Sequence, residues 1–86
     1  MQKGVQMREV RRTEKFDEGF WSLGKELQER VVRALEKLGE KPQLGKPLRS
    51  PLAGFFSERV GAIRVIYTYD EKEVVLRECR WRKKGY

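Results

Sequence analysis

Residues 55–81 read FFSERVGAIRVIYTYDEKEVVLRECRW, and the phase of this stretch decides the fold. Apolar and polar residues alternate along it with a period of two, and short polar breaks interrupt the alternation. That is the pattern of strands with one buried face. FFSERV (55–60) makes one strand and Gly61 marks a turn. AIRVIYTY (62–69) makes a second strand, DEKE (70–73) a turn, and VVLRECRW (74–81) a third strand. Strands joined this closely form an antiparallel meander. On the middle strand Ile63, Val65, Tyr67 and Tyr69 share the core face, while Arg64, Ile66 and Thr68 share the other.

The register of the last two strands follows from what each choice buries. A turn centred on Lys72 puts Val75, Cys79 and Trp81 on the core face, with Arg77 as an imperfection. Arg64 then falls directly opposite Arg80 on the other face. A two-residue turn instead drives Glu78 and Arg80 into the core, which is costlier. The first register is therefore expected. It places like charges opposite each other, with Cβ atoms roughly 5 Å apart, and that destabilises a sheet. A phosphate between them turns repulsion into attraction, because each guanidinium offers two parallel hydrogen bonds. Glu78 on the same face provides a ligand-free alternative by neutralising one arginine.

Working outward, Arg59 ends its strand where it can approach the same face across the turn. Arg82, Lys83, Lys84 and Tyr86 extend past the last strand. Residues 41–54, KPQLGKPLRSPLAG, hold three prolines and two glycines and read as an extended loop. Lys46 and Arg49 in that loop can close over the arginines. Taken alone, a charged sheet face is more commonly solvated than catalytic. Concentration of arginines on one side of a small sheet points to an RNA or DNA surface.

The first half of the chain is helical. In residues 25–42 an apolar stripe runs through Leu27, Val31, Ala34, Leu35 and Leu38. Gly39 is expected as its left-handed C-cap, and Pro42 prevents resumption. A shorter helix precedes it, with Thr13 as N-cap, Glu14 and Asp17 in the first turns, and Phe16, Phe20 and Leu23 at helical spacing. Gly24 breaks it. Two helices with so short a break form a helical hairpin. Residues 5–12 alternate loosely through Val5, Met7 and Val10 and read as a first strand. The expectation is an α+β domain spanning residues 1–86, of order β-α-α-β-β-β. The helical hairpin packs on a small, mainly antiparallel, four-stranded sheet.

Composition narrows the chemistry. The 86 residues carry 20 Lys and Arg against 13 Asp and Glu, a net charge of +7 that favours an anionic partner. Cys79 is the only cysteine and there is no histidine. An intrachain disulfide and a cysteine-held zinc site are thus excluded, and the usual general base is missing. A reducing cytoplasm fits, and no run of residues approaches a membrane span. Neither a metal nor a cofactor is expected.

In order and spacing, these elements resemble the RelE/ParE superfamily of bacterial and archaeal toxins. KELQERVVRALEKL followed by EKP resembles the family's second helix and its proline. GKPLRSPLAGFFSERVGAIRVIYTYDEKEVV resembles its loop and strand pair, and RWRKKGY its ending. The resemblance implies a toxin held inactive by a cognate antitoxin. In the RelE branch it implies an endoribonuclease that cuts mRNA in the ribosomal A site. In the ParE branch it implies inhibition of DNA gyrase without cleavage, and a degenerate member that only binds its antitoxin is a further alternative. Fold analogy does not choose among these. By resemblance Arg64 stabilises the transition state, Arg80 serves the leaving group, and Tyr86 stands at the end of the active site. Lys46, Arg49, Arg59, Arg82, Lys83 and Lys84 would bind RNA. The chain departs from the RelE pattern at Phe55 and Ser57, where RelE-type enzymes carry lysines, and at Cys79, where many relatives carry histidine. Tyr86 fits two roles: a general base, its phenolate favoured by basic neighbours, or a platform on which a base stacks.

Overall fold

The computed structural model describes residues 8–82. In chain order they form β1 (Glu9–Arg12), α1 (Glu14–Trp21), α2 (Lys25–Glu40), a 3₁₀ turn (Pro42–Leu44), β2 (Lys46–Pro47), β3 (Phe56–Val60), β4 (Ile63–Tyr69) and β5 (Glu73–Trp81). The expected first strand before Arg8 lies outside the described residues. Its remainder, β1, pairs parallel with β5, and β3, β4 and β5 form the antiparallel meander. The sheet order is β1-β5-β4-β3-β2. It therefore has five strands, not four. The additional strand, β2, is two residues of the expected loop that pair with Ser57 and Phe56.

Local chemistry sets the helix ends. The Thr13 hydroxyl accepts from the Phe16 N–H at 3.2 Å and donates to the Leu76 carbonyl at 2.8 Å, so one side chain caps α1 and ties it to β5. The Gln28 amide donates to the Leu23 carbonyl at 2.9 Å and holds α2 against the end of α1. Contrary to expectation, α2 runs through Gly39 to Glu40, and Gly39 has no positive φ. Gly39 is buried, and its carbonyl accepts from the Arg8 N–H at 2.9 Å. Pro42 does stop the helix, as its missing N–H requires.

Phe16, Phe20, Leu23, Val31 and Leu38 of the hairpin pack on Val60, Ile63, Val65, Tyr67, Val74, Leu76 and Cys79 of the sheet. Three residues expected on the core face are absent from this set: Tyr69 is only partly buried against it, and the ladder bears on Val75 and Trp81. Ile63 to Ile66 pair with Trp81 to Glu78, the register of a turn centred on Lys72. Tyr67 to Tyr69 pair with Leu76 to Val74, the register of a two-residue turn. Both registers are present, and Arg77 is the extra residue between them, a β-bulge. The bulge removes the expected imperfection. Val74 and Leu76 take the core face, Val75 turns to the other side, and Arg77 is exposed with its Nε donating to Thr68 Oγ1 at 3.2 Å. Trp81 is 57% exposed because β1 covers only Glu73–Leu76, which leaves the far half of β5 as a sheet edge.

Candidate anion-binding site

The sheet face turned away from the helices carries the basic residues in rows. Arg59 pairs with Arg64 across β3 and β4, and Arg64 pairs with Arg80 across β4 and β5. The neighbouring row runs Lys46, Ser57, Ile66, Glu78 over β2 to β5. Three guanidinium groups thus share one cross-strand line. On a ladder each such like-charge pair is unfavourable by tenths of a kcal/mol, on the order of 0.2–1. Alternation along β3, β4 and β5 puts them there. The tight turn between β3 and β4 fixes the offset, with Gly61 at φ +60, the first position of a two-residue hairpin loop.

A groove of about 540 Å³ opens beside this row, lined by Lys46, Arg49, Ser57, Glu58, Arg59 and Arg64 among others. The loop that carries Arg49 is tied down by backbone hydrogen bonds. Leu48 N–H donates to the Phe55 carbonyl at 2.9 Å, Leu52 N–H to the Arg49 carbonyl at 2.8 Å, and Phe55 N–H to the Leu52 carbonyl at 3.0 Å. Lys46 is placed from below by Tyr67. The phenol of that fully buried residue donates to the Pro42 carbonyl at 2.6 Å, and a Cβ on Gly45 would land on its hydroxyl. Burial pushes this phenol up to about 12. A buried tyrosine needs a hydrogen-bond partner. Its partner here lies in the proline-rich segment, so the bond folds that loop onto the sheet.

Of the nine residues singled out from the sequence, four line this groove: Lys46, Arg49, Arg59 and Arg64. Arg80 stands beside Arg64 but outside the lining, with its Nη1 3.6 Å from Glu78 Oε2. Glu78 also lies 3.9 Å from Lys15 Nζ. The alternative in which Glu78 neutralises one arginine is therefore realised at Arg80. Arg82 is exposed at the end of β5, and its N–H donates to the Ala62 carbonyl at 2.7 Å. Lys83, Lys84 and Tyr86 lie outside the described residues. Among the described residues, Lys46, Arg49, Arg59 and Arg64 form no ion pair with a carboxylate. Cys79 faces the core on the opposite side of the sheet, and burial pushes its thiol up to about 11, so it brings no nucleophile to the groove. Ser57 stands where a strand lysine was expected by resemblance, yet Lys46 is its direct neighbour on β2. From the sequence Lys46 is a loop residue; its place in the sheet was not legible, because β2 is only two residues long.

This arrangement can hold a phosphate. Its permanent charges and forked donors match phosphate oxygens, and it can stabilise added charge on them. Among the described residues that line the groove, Glu58 and Lys46 carry groups able to transfer a proton, whereas the arginines, permanently charged, do not. A second surface feature is apolar. Trp21 and Val32, 62% and 43% exposed, line a shallow groove of about 460 Å³ on the helical hairpin.

No protein-family model matches the chain, and no curated protein sequence matches it. Solved structures do. A chain of the RelBE2 toxin–antitoxin complex from Mycobacterium tuberculosis is 33% identical, with a TM-score of 0.81, over 90% of this chain and 100% of that one. The YoeB dimer from Staphylococcus aureus is 18% identical with a TM-score of 0.75, over 91% of this chain and 100% of that one. The isolated E. coli RelE toxin is 18% identical with a TM-score of 0.76, over 91% of this chain and 87% of that one. At 18% the likeness is one of fold; at 33% over the whole length of the mycobacterial chain it is one of family.

Proposed function

This chain belongs to the RelE-like toxins of toxin–antitoxin modules, and from that premise we propose that it is a metal-independent endoribonuclease that cuts mRNA in the ribosomal A site and so blocks translation. The observation that carries this reading is the cross-strand line Arg59–Arg64–Arg80 beside a groove lined by Lys46 and Arg49.

In the proposed reaction the 2′-oxygen of one nucleotide attacks the adjacent phosphorus and gives up its proton. The bond from phosphorus to the 5′-oxygen breaks, and that oxygen takes a proton. The products are a 2′,3′-cyclic phosphate and a 5′-hydroxyl. Arg64, central in the line, stabilises the charge on the non-bridging oxygens. Arg80 stabilises the leaving oxygen, for which it must exchange its contact with Glu78. Tyr86 acts as base or stacks on a nucleobase. Lys46, Arg49, Arg59, Arg82, Lys83 and Lys84 hold the RNA backbone. A guanidinium is a poor proton donor, so positioning of the message by the ribosome supplies much of the rate.

The proposed partner besides the ribosome is a cognate antitoxin, since the mycobacterial chain belongs to a toxin–antitoxin complex. The exposed Trp21 and Val32 on the hairpin offer apolar anchors for it. Work on ribosomes places the protein in the cytoplasm. No helix among the described residues is long and apolar enough to cross a membrane.

The test is addition of the purified protein to a translation extract. Ribosome-bound message should acquire cuts ending in cyclic phosphate, and free message should not. Intact message would overturn the proposal. A second reading, binding to DNA gyrase without cleavage, is favoured by Ser57 in the lysine position and by the Arg80–Glu78 contact. It predicts intact message together with blocked supercoiling.

A further inference from the structure

The basic surface does not end at the sheet groove. A second groove of about 280 Å³ lies on the helix side of β3, lined by Arg30, Arg33 and Lys37 of α2 and by Glu58, Arg59 and Gly61. Glu58 and Arg59 line both grooves, so the two meet at β3. They lie on opposite faces of β3 and join around its outer edge. Among the described residues β2 pairs only with Phe56 and Ser57, which leaves the outer edge of Glu58–Val60 without a strand beside it. Arg30, Arg33 and Lys37 recur at i, i+3 and i+7 and so share one face of α2. Arg30 bridges toward the β3–β4 turn. Its Nη1 would stand 3.3 Å from a Cβ on Gly61, so the guanidinium lies against the bare turn.

These cations also lack counter-charges. Among the described residues, Arg30, Arg33, Lys37 and Arg59 form no ion pair, although Glu58 stands in their midst. Glu58 is the one carboxylate among the described residues that line either groove, which leaves excess positive charge there that a polyanion would neutralise. We propose that the two grooves form one track for a single-stranded nucleic-acid backbone. The sheet groove takes the central phosphate, and Arg30, Arg33 and Lys37 take flanking phosphates around the edge of β3. The proposal rests on reading the sheet groove as an RNA site and extends it to a second subsite on α2. A nucleic acid fits the second groove better than an acidic peptide does. Peptide docking draws on apolar anchors, and none of the large exposed apolar side chains lines this groove.

The experiment measures binding of 2′-deoxy oligonucleotides, which cannot be cleaved, by fluorescence anisotropy over a range of salt. One oligonucleotide spans about four residues and the other about twelve, the lower and upper parts of ordinary single-strand site sizes. Relative to wild type, Arg30→Gln/Arg33→Gln should weaken the long oligonucleotide and flatten its salt dependence by about 1.4, since each lost phosphate contact removes about 0.7. Its binding of the short one should be unchanged. Lys25→Gln/Lys72→Gln removes the same charge from exposed positions elsewhere and should alter neither slope. If the two double variants behave alike, the second subsite is overturned while the sheet groove stands. The same holds if only binding of polyglutamate is lost. Wild-type protein that binds neither oligonucleotide would overturn both readings.

Discussion

Gly19 shows how one side chain's absence sets an interface. The backbone of α1 lies directly on β5 there, and a Cβ would land on the Cys79 carbonyl oxygen. Gly19→Ala should therefore push the helix off the sheet and cost about 1–3 kcal/mol, the range for overpacking, by urea denaturation. No pattern in the sequence marks this glycine, because its partner is sixty positions away in sequence order and unrelated in periodicity. Tyr67, by contrast, could be read in part. Its place on the core face was legible, and its hydroxyl had to find a partner. Tyr67→Phe leaves the Pro42 carbonyl unpaired and should cost about 1–3 kcal/mol at neutral pH. The phenol titrates at about 12 in the fold against an ordinary value of about 10. Its folded value is the higher one, so its stabilisation is complete below pH about 10 and is lost as pH rises toward 12. Cys79, raised to about 11, adds a loss of the same sign. Stability should fall across this alkaline range, and less steeply in Tyr67→Phe.

Among the elements, the β4–β5 hairpin carries the most information. Its turn is held by the Asp70 carboxylate, which accepts from the N–H groups of Lys72 and Glu73 at 2.8 and 2.9 Å. These bonds hold its carboxyl below the usual range. Near the turn the ladder follows one register, and beyond Arg77 it follows the other. Weighing burial alone selected the register that brings Arg64 opposite Arg80, and that part of the fold was legible. The bulge was not, because it uses an arginine and no glycine announces it. If Arg77 is the inserted residue, deleting it leaves a regular ladder with every other side chain on its present face. The deletion should then shift the melting midpoint by no more than about 5 °C, the equivalent of roughly 1 kcal/mol. Deleting Val75 instead turns Val74 out of the core and should unfold the protein. Equal damage from both deletions would contradict the assignment. The two-residue β2 was hidden for a different reason: it is too short for any alternation to show, and it contains a proline. The helical hairpin was plain from its stripe, apart from the extra turn through Gly39.

At the scale of the molecule, the hairpin covers one face of the sheet and leaves the other to the arginines. The net charge of +7 is therefore not spread evenly. Arg11, Arg12, Lys15 and Arg80 have carboxylate partners, whereas the cations around β3 have none among the described residues. Composition signalled an anionic partner, and alternation signalled which face. The proline-rich loop was expected to bring Lys46 and Arg49 over the arginines, and both line the groove; what neither signal could show is the loop's own fold, with Lys46 paired to Ser57. The chemistry assigned to this face depends above all on Arg64, the one arginine with an arginine on each side. The decisive measurement is the rate at which wild type and Arg64→Ala cut a message held in the ribosomal A site, with the variant's folding checked by its melting curve. Loss of a donor that stabilises transition-state charge should slow cleavage by about 10²–10³-fold. An Arg64→Ala protein that is folded and cuts at the wild-type rate would contradict the account.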